Sequence, residues 1–321
     1  MTNHSSESLL SGWRLRALIL IVLMSVGGYL IFTLWGGWKD VLAAIEKVGL
    51  IGIAIALILS LVNYGLRFIR WQKFLAVLGH HIHWAPSFHI YIAGFGLTIL
   101  PGKAGEAIRS VFLKRYGVSY PESLAAFFSE HFSNLISMLI LVSIGLWVYP
   151  QAQPLVVALA IAILIGLGLL QQTTLLKFLK SVAKNRLPVR PGKLVSSTID
   201  IVLHSGRCFR LPMLILGIVF GLIAWGSEGV AFYYILSLLE NNISLQTALF
   251  IYAFSMLIGA LSFLPGGLGG AEATMLALLM LNHVEQPQAV AATLIIRLAT
   301  LWFAVILGII ALAMPVREQA K

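Results

Sequence analysis

The chain has 321 residues, of which 59% are apolar and only 11% charged, with a mean hydropathy of +0.94. A soluble globule is nearer half apolar and a quarter charged, so this composition excludes a soluble domain and places the chain in a bilayer. Several apolar runs reach the ~20 residues that a helix needs to cross hydrocarbon and none alternates with period two, so the predicted class is helical and not a β-barrel.

In chain order, the first predicted span covers about 17–35, preceded by Arg14 and Arg16 and closed by Trp35 and Trp38. Its apolar core is long and no small-x-small site follows it, so it reads as a retained anchor and not a signal peptide. A second span covers about 48–66 and is followed by Arg67, Arg70 and Lys73; a third covers about 121–147. Ser119, Pro121 and Glu122 predict a capped N-terminus for that third helix. The fourth to sixth spans are expected at about 154–170, 211–235 and 287–314.

Two apolar segments remain, at about 87–116 and 245–282, and each is interrupted in its middle. The first break is Pro101, Gly102 and Gly105; the second is Pro265, Gly266, Gly267, Gly269 and Gly270. Each half is too short to cross hydrocarbon, and unpaired backbone at membrane depth survives only inside protein or beside a water-filled cavity. Both segments are therefore predicted to be re-entrant helical hairpins. The stretch 171–210 carries eight basic residues (Lys177, Lys180, Lys184, Arg186, Arg190, Lys193, Arg207, Arg210) against Asp200, and reads as a basic cytoplasmic loop. Threading six spans from it puts both termini inside, with the hairpins entering from opposite sides. The net charge of +10 thus reports topology and contact with anionic lipid, and nucleic acid is not an expected partner. Cys208, the single cysteine, allows no intrachain disulfide.

The expected fold is an all-α integral membrane protein: one polytopic domain with about six transmembrane helices and two re-entrant hairpins. Glu106 and Glu272 each follow a Pro-Gly break and each lies fifteen residues before a proline that opens a span, Pro121 or Pro287. At the same offset of 166, His131 matches Arg297. Halves at about 48–150 and 211–314 would then form an inverted repeat, an arrangement that places a shared site near the midplane.

The pairing of "LPGKAGEAIR", followed by a helix with Glu130, and "LPGGLGGAE", followed by a helix with Arg297, resembles the lysylphosphatidylglycerol synthase transmembrane family. The likeness runs over about 17–314. In bifunctional members a soluble domain attaches an amino acid to phosphatidylglycerol and the membrane region moves the product outward; stand-alone members are linked to export of polar or glycosylated lipids. The chain stops at Lys321 without an aminoacyl-transfer domain, so the resemblance implies a stand-alone inner-membrane flippase with no particular headgroup. Aminoacylated or other phospholipids and polyprenyl-phosphate-linked glycolipids are the expected substrate classes, and a second copy of the chain stays open as a partner.

Seven charged residues are predicted near membrane depth: Lys103, Glu106, Arg109, Glu130, Glu228, Glu272 and Arg297. A charge at the bilayer centre costs on the order of 3 kcal/mol even on the lenient insertion scale, which asks for a role. The functional reading gives phosphate to Lys103, Arg109, Arg297 and the half-helix amide ends, and gives the carboxylates an amine, sugar hydroxyls or a coupling proton held by Glu106 or Glu272. The bland reading makes Glu106 and Glu272 caps and pairs Arg297 with Glu130 or Glu228. His80, His81 and His83 lack a nearby carboxylate and are not read as a metal site, and no cofactor motif survives inspection. A lipid-modifying enzyme would need a nucleophile or metal cluster, and a scaffold subunit would need no charge at depth, so both stand behind the flippase.

Overall fold

A computed structural model describes residues 27–28, 30–31, 33–98, 106–262 and 264–314. Among them, five helices are long and apolar enough to cross a membrane. They are α1 (Trp38–Val77), α4 (Tyr120–Ile144), α5 (Gln153–Gln171), α8 (Leu211–Leu238) and α11 (Gln286–Ala313). These correspond to the second through sixth predicted spans; most of the first, about 17–35, lies outside the described residues. Shorter helices complete the chain: α2 (Trp84–Phe95), α3 (Arg109–Leu113), α6 (Thr173–Arg186), α7 (Val189–Cys208), α9 (Leu245–Leu261) and α10 (Gly270–Leu281). The protein is an all-α integral membrane protein.

Local chemistry sets several of these boundaries. The predicted cap of α4 forms in full: Ser119 Oγ accepts from Glu122 N while Glu122 Oε2 accepts from Ser119 N at 3.2 Å. Gly49, with φ 64° and ψ 176°, breaks α1 near its start, and the helix then runs unbroken to Val77. That corrects the second span, which ends eleven residues beyond the predicted Leu66, because Arg67, Arg70 and Lys73 continue the helix instead of stopping it at an interface. The segment 171–210 is also no loop: α6 and α7 pack on each other as a helical hairpin, and α7 packs on α4. Burial of Cys208 on α7 pushes its thiol up to about 11.

α1 lies along α8, fastened by Asn63 Nδ2 donating to Ala224 O (2.8 Å) and Ser227 Oγ donating to Leu59 O (3.0 Å). α4 packs on both α8 and α9, and α11 packs on α1, α8 and α10. The last third of α11 rests against α2 so closely that Gly308 and Gly96 meet backbone to backbone. Within a lipid-facing bundle such contacts draw on dispersion and not on exclusion of water, so small residues at the crossing let the helices approach.

At 17 and 12 residues, α9 and α10 span about 25 Å and 18 Å at the helical rise, short of a ~30 Å hydrocarbon core. They pack on each other and turn at the predicted break. Gly266, Gly267 and Gly269 all adopt positive φ, at 59°, 68° and 84°. Gly267 also presses on the backbone of Gly259, where a Cβ would sit 3.2 Å away; only glycine satisfies both demands. The first break, with Pro101, Gly102 and Gly105, lies outside the described residues, and beyond it the chain continues as a 3₁₀ turn at Glu106–Ile108 into α3.

Candidate functional site

Two ion clusters are buried in the bundle. In the first, Glu130 on α4 has no exposed surface and accepts three side chains: Arg109 Nη1 at 2.8 Å, Arg67 Nη2 at 3.3 Å and the Tyr91 hydroxyl at 2.6 Å. Arg70, also fully buried, donates to Asn134 Oδ1, to Gly217 O (3.3 Å) and to Glu130 O (3.5 Å). Two guanidinium groups therefore pair with one carboxylate, and a third, that of Arg70, bonds the backbone carbonyl of the same residue. Arg109 lies 4.1 Å from the Tyr91 ring centre, and Arg67 lies 5.5 Å and 5.4 Å from those of Phe95 and Trp225, so ring faces carry part of the positive charge.

In the second cluster, Arg297 Nε donates to Glu272 Oε1 at 2.6 Å and Arg297 Nη2 donates to the carbonyl of Gly266 at 3.1 Å. Glu272 Oε2 accepts from Gly269 N at 2.7 Å. The glycine break, the start of α10 and the middle of α11 are thereby tied by one pair of side chains. A π-helical turn at Leu298–Trp302 follows Arg297 directly, the kind of irregularity that marks functional positions in helices.

Between the clusters lies a cavity of about 400 Å³. Arg67 reaches it from the first cluster and Arg297 from the second; Glu228, His131, Asn134 and Trp225 line it with Gly266 and Gly267. Glu228 is 3% exposed, and its Oε2 accepts from the Tyr252 hydroxyl at 2.5 Å. Among the described residues no cation lies within ion-pair distance of it. Each arginine in the cavity wall is thus held by a carboxylate behind it, while the third carboxylate faces the cavity with a neutral partner.

Of the residues singled out from sequence, Glu228 and Arg297 line the cavity; Glu130 and Glu272 are not in its lining and hold Arg67 and Arg297 in place, and Arg109 donates to Glu130. Lys103 and the side chain of Glu106 lie outside the described residues. The alternative pairing of Arg297 with Glu130 or Glu228 is corrected, since its partner is Glu272. The capping role considered for Glu272 is present alongside that ion pair. Arg67, Arg70, Tyr91 and Asn134 were not predicted as site residues. A usable signal was the spacing of Ser60, Asn63, Arg67 and Arg70: steps of three and four put all four on one face, and a polar stripe in an otherwise apolar span turns toward the protein interior. Among the described residues no group of three or more His, Cys, Asp or Glu could hold a metal.

Comparison with known proteins agrees with this architecture. Residues 15–308 match the family described as "Lysylphosphatidylglycerol synthase TM region". The chain is similar to a UPF0104 membrane protein of Pyrococcus horikoshii, with 23% identity covering 90% of this chain and 94% of the relative. It is also similar to one from Methanothermobacter thermautotrophicus, at 24% identity over 86% and 87% of the two chains. A relative from Methanocaldococcus jannaschii shares 23% identity over 66% of this chain and 91% of its own length.

Proposed function

Because the chain belongs to the lysylphosphatidylglycerol synthase transmembrane family, we propose that it moves a lipid with an anionic, phosphate-bearing headgroup across a prokaryotic cell membrane. The observation that carries this reading is the cavity, in which two arginines from separate ion clusters meet inside an apolar bundle. A phosphate cannot enter bare hydrocarbon, because stripping its water without replacement is prohibitive. Arg67 and Arg297 replace that water with charge-assisted donors. Among the described residues the arginines of the two clusters (67, 70, 109 and 297) outnumber the buried carboxylates (130, 228 and 272) by one, which supports a site for an anion.

The acyl or prenyl chains stay in lipid while only the headgroup crosses the cavity. The two broken segments, 87–116 and 245–282, act as re-entrant gates of an inverted repeat with halves at about 48–150 and 211–314. One gate opens toward the cytoplasm and the other toward the outside. Both termini and the α6–α7 hairpin face the cytoplasm, in keeping with the basic residues of that hairpin.

Vesicles containing purified protein and a fluorescent phosphatidylglycerol or polyprenyl phosphate in one leaflet test this reading. Protein-dependent movement of at least one of the two lipids is expected. Movement of neither overturns it.

A further inference from the structure

We propose that the headgroup site takes up one proton with each anionic headgroup, and that Glu228 is the carboxylate that binds it. This rests on the headgroup reading above and adds a second transported species. Glu228 lines the same cavity of about 400 Å³ as Arg67 and Arg297, so a phosphate held by those arginines shares that cavity with a second negative charge inside an apolar bundle. Two anions confined in one low-dielectric cavity repel, and protonating one of them relieves the repulsion.

Geometry selects Glu228 as the carboxylate that yields. Glu130 is fixed by Arg67 and Arg109, and Glu272 by Arg297 and the backbone of Gly269; protonating either one releases an arginine from its counter-charge. Among the described residues, Glu228 is held by the Tyr252 hydroxyl and by no ion pair. Its second oxygen can carry the proton while Oε2 continues to accept from Tyr252. Elements packed against α8 present these titratable or charged groups: Tyr64, Arg67 and Arg70 from α1, Glu130 and His131 from α4, Tyr252 from α9 and Arg297 from α11, whose partner Glu272 lies on α10. Arg67 and Arg297 line the same cavity as Glu228, and they are the groups a phosphate would occupy. When the phosphate arrives their attraction for Glu228 is shared and the proton comes on; when it leaves, the proton is released.

Binding and protonation are reciprocal, so a carboxylate that must be protonated for the anion to bind makes apparent affinity fall about tenfold per pH unit above its titration point. The test measures binding of dioctanoyl phosphatidylglycerol and, separately, of a short-chain polyprenyl phosphate to detergent-solubilised full-length protein, by tryptophan fluorescence, between pH 5 and pH 9. Wild type should lose affinity steeply with pH and take up one proton per bound lipid in weakly buffered solution. Glu228→Gln, which keeps the shape and the bond to Tyr252, should bind with a shallow pH profile and no proton uptake. Tyr252→Phe removes the hydroxyl that donates to the carboxylate, so it should move the wild-type profile to higher pH. His131→Gln should keep the steep profile, which separates Glu228 from the other titratable group of the cavity wall. Thermal unfolding of each variant shows that it is folded.

If Glu228→Gln retains the steep profile and the proton uptake, the proposal is overturned while the headgroup reading stands. If His131→Gln abolishes them, the proton belongs to His131 and the proposal is likewise overturned. If neither lipid binds at any pH, the headgroup reading itself fails.

Discussion

Glu272 and Arg297 meet at 2.6 Å, and the same carboxylate caps the start of α10 through Gly269 N at 2.7 Å. The first half of the chain holds a pair of opposite order: there the arginine, Arg109, precedes the span and the carboxylate, Glu130, lies on it, 2.8 Å apart. In each half an ion pair links the helix after a glycine break to the middle of the following span. Such pairs are poor sources of net stability, since desolvation offsets much of the attraction, but they fix one arrangement of the elements they join.

Removing one member of the second pair leaves a buried charge. Glu272→Gln and Arg297→Ala should each lose about 3–5 kcal/mol, seen as a lower unfolding temperature and reduced yield in detergent. The double variant Glu272→Gln/Arg297→Gln should recover much of that loss, because neither charge is left alone. It should fold yet fail to move lipid, since Arg297 lines the cavity. Restored stability together with full transport would show that Arg297 does not touch the headgroup.

Among the described residues the Glu130 carboxylate pairs with both Arg67 and Arg109, and its backbone carbonyl accepts from Arg70, so Glu130→Gln should be at least as damaging as Glu272→Gln. Adding Arg109→Gln returns the cluster to its native net charge and should restore accumulation in the membrane. Western blots and size-exclusion profiles of the three proteins decide this.

The crossing of α2 and α11 has no room for a side chain at Gly308, where a Cβ would collide with the Gly96 backbone. Gly308→Ala should cost about 1–3 kcal/mol, the usual penalty for overpacking. Gly226 on α8 has nothing within 4 Å of the built Cβ. Gly226→Ala should therefore be neutral or gain up to about 1 kcal/mol from helix propensity. Equal effects at the two glycines would contradict the close crossing.

Cys208 is buried, and its thiol is pushed up to about 11. Only the thiolate attacks a maleimide, so at pH 8 about one Cys208 in a thousand is reactive in the folded protein. Because an exposed cysteine titrates near ~8.5, labelling should rise at least a hundredfold on unfolding, and in the folded state it should rise steadily from pH 8 to pH 11. Rapid labelling of the native protein at pH 8 would show that α7 leaves its seat against α4.

Topology can be read with cysteines introduced into a Cys208→Ala background at two exposed positions, Asn185 and Glu285. An impermeant reagent should label position 285 from outside intact cells and reach position 185 only after permeabilisation. The opposite pattern would invert the assigned orientation, and labelling of both positions from the same side would remove the basis for gates on opposite faces.

Much of this was legible in the sequence because the bilayer acts on composition. Hydrocarbon tolerates only long apolar helices, so four spans could be placed within a few residues by counting, while α1 begins at Trp38, ahead of the expected 48, and runs on past Leu66. Backbone rules are equally local: Ser119 with Glu122 announced the cap of α4, and Pro265 with its glycines announced a turn that needs positive φ. The expense of burying charge singled out Arg109, Glu130, Glu228, Glu272 and Arg297, all of which are buried. What remained for the tertiary structure was partnership. Arg67 and Arg70 look like interfacial basic residues where an apolar run ends, and only the continuation of α1 to Val77 against α4 and α8 brings them to Glu130 and Asn134. Whether Arg297 meets Glu130, Glu228 or Glu272 depends on how α10, α11 and α8 are rotated about their own axes. That rotation is set by side chains far apart in the chain, which no local pattern encodes. The same packing gives Glu228, among the described residues, a neutral partner in Tyr252; a carboxylate's charge is written in the sequence, but its partner is supplied by the fold.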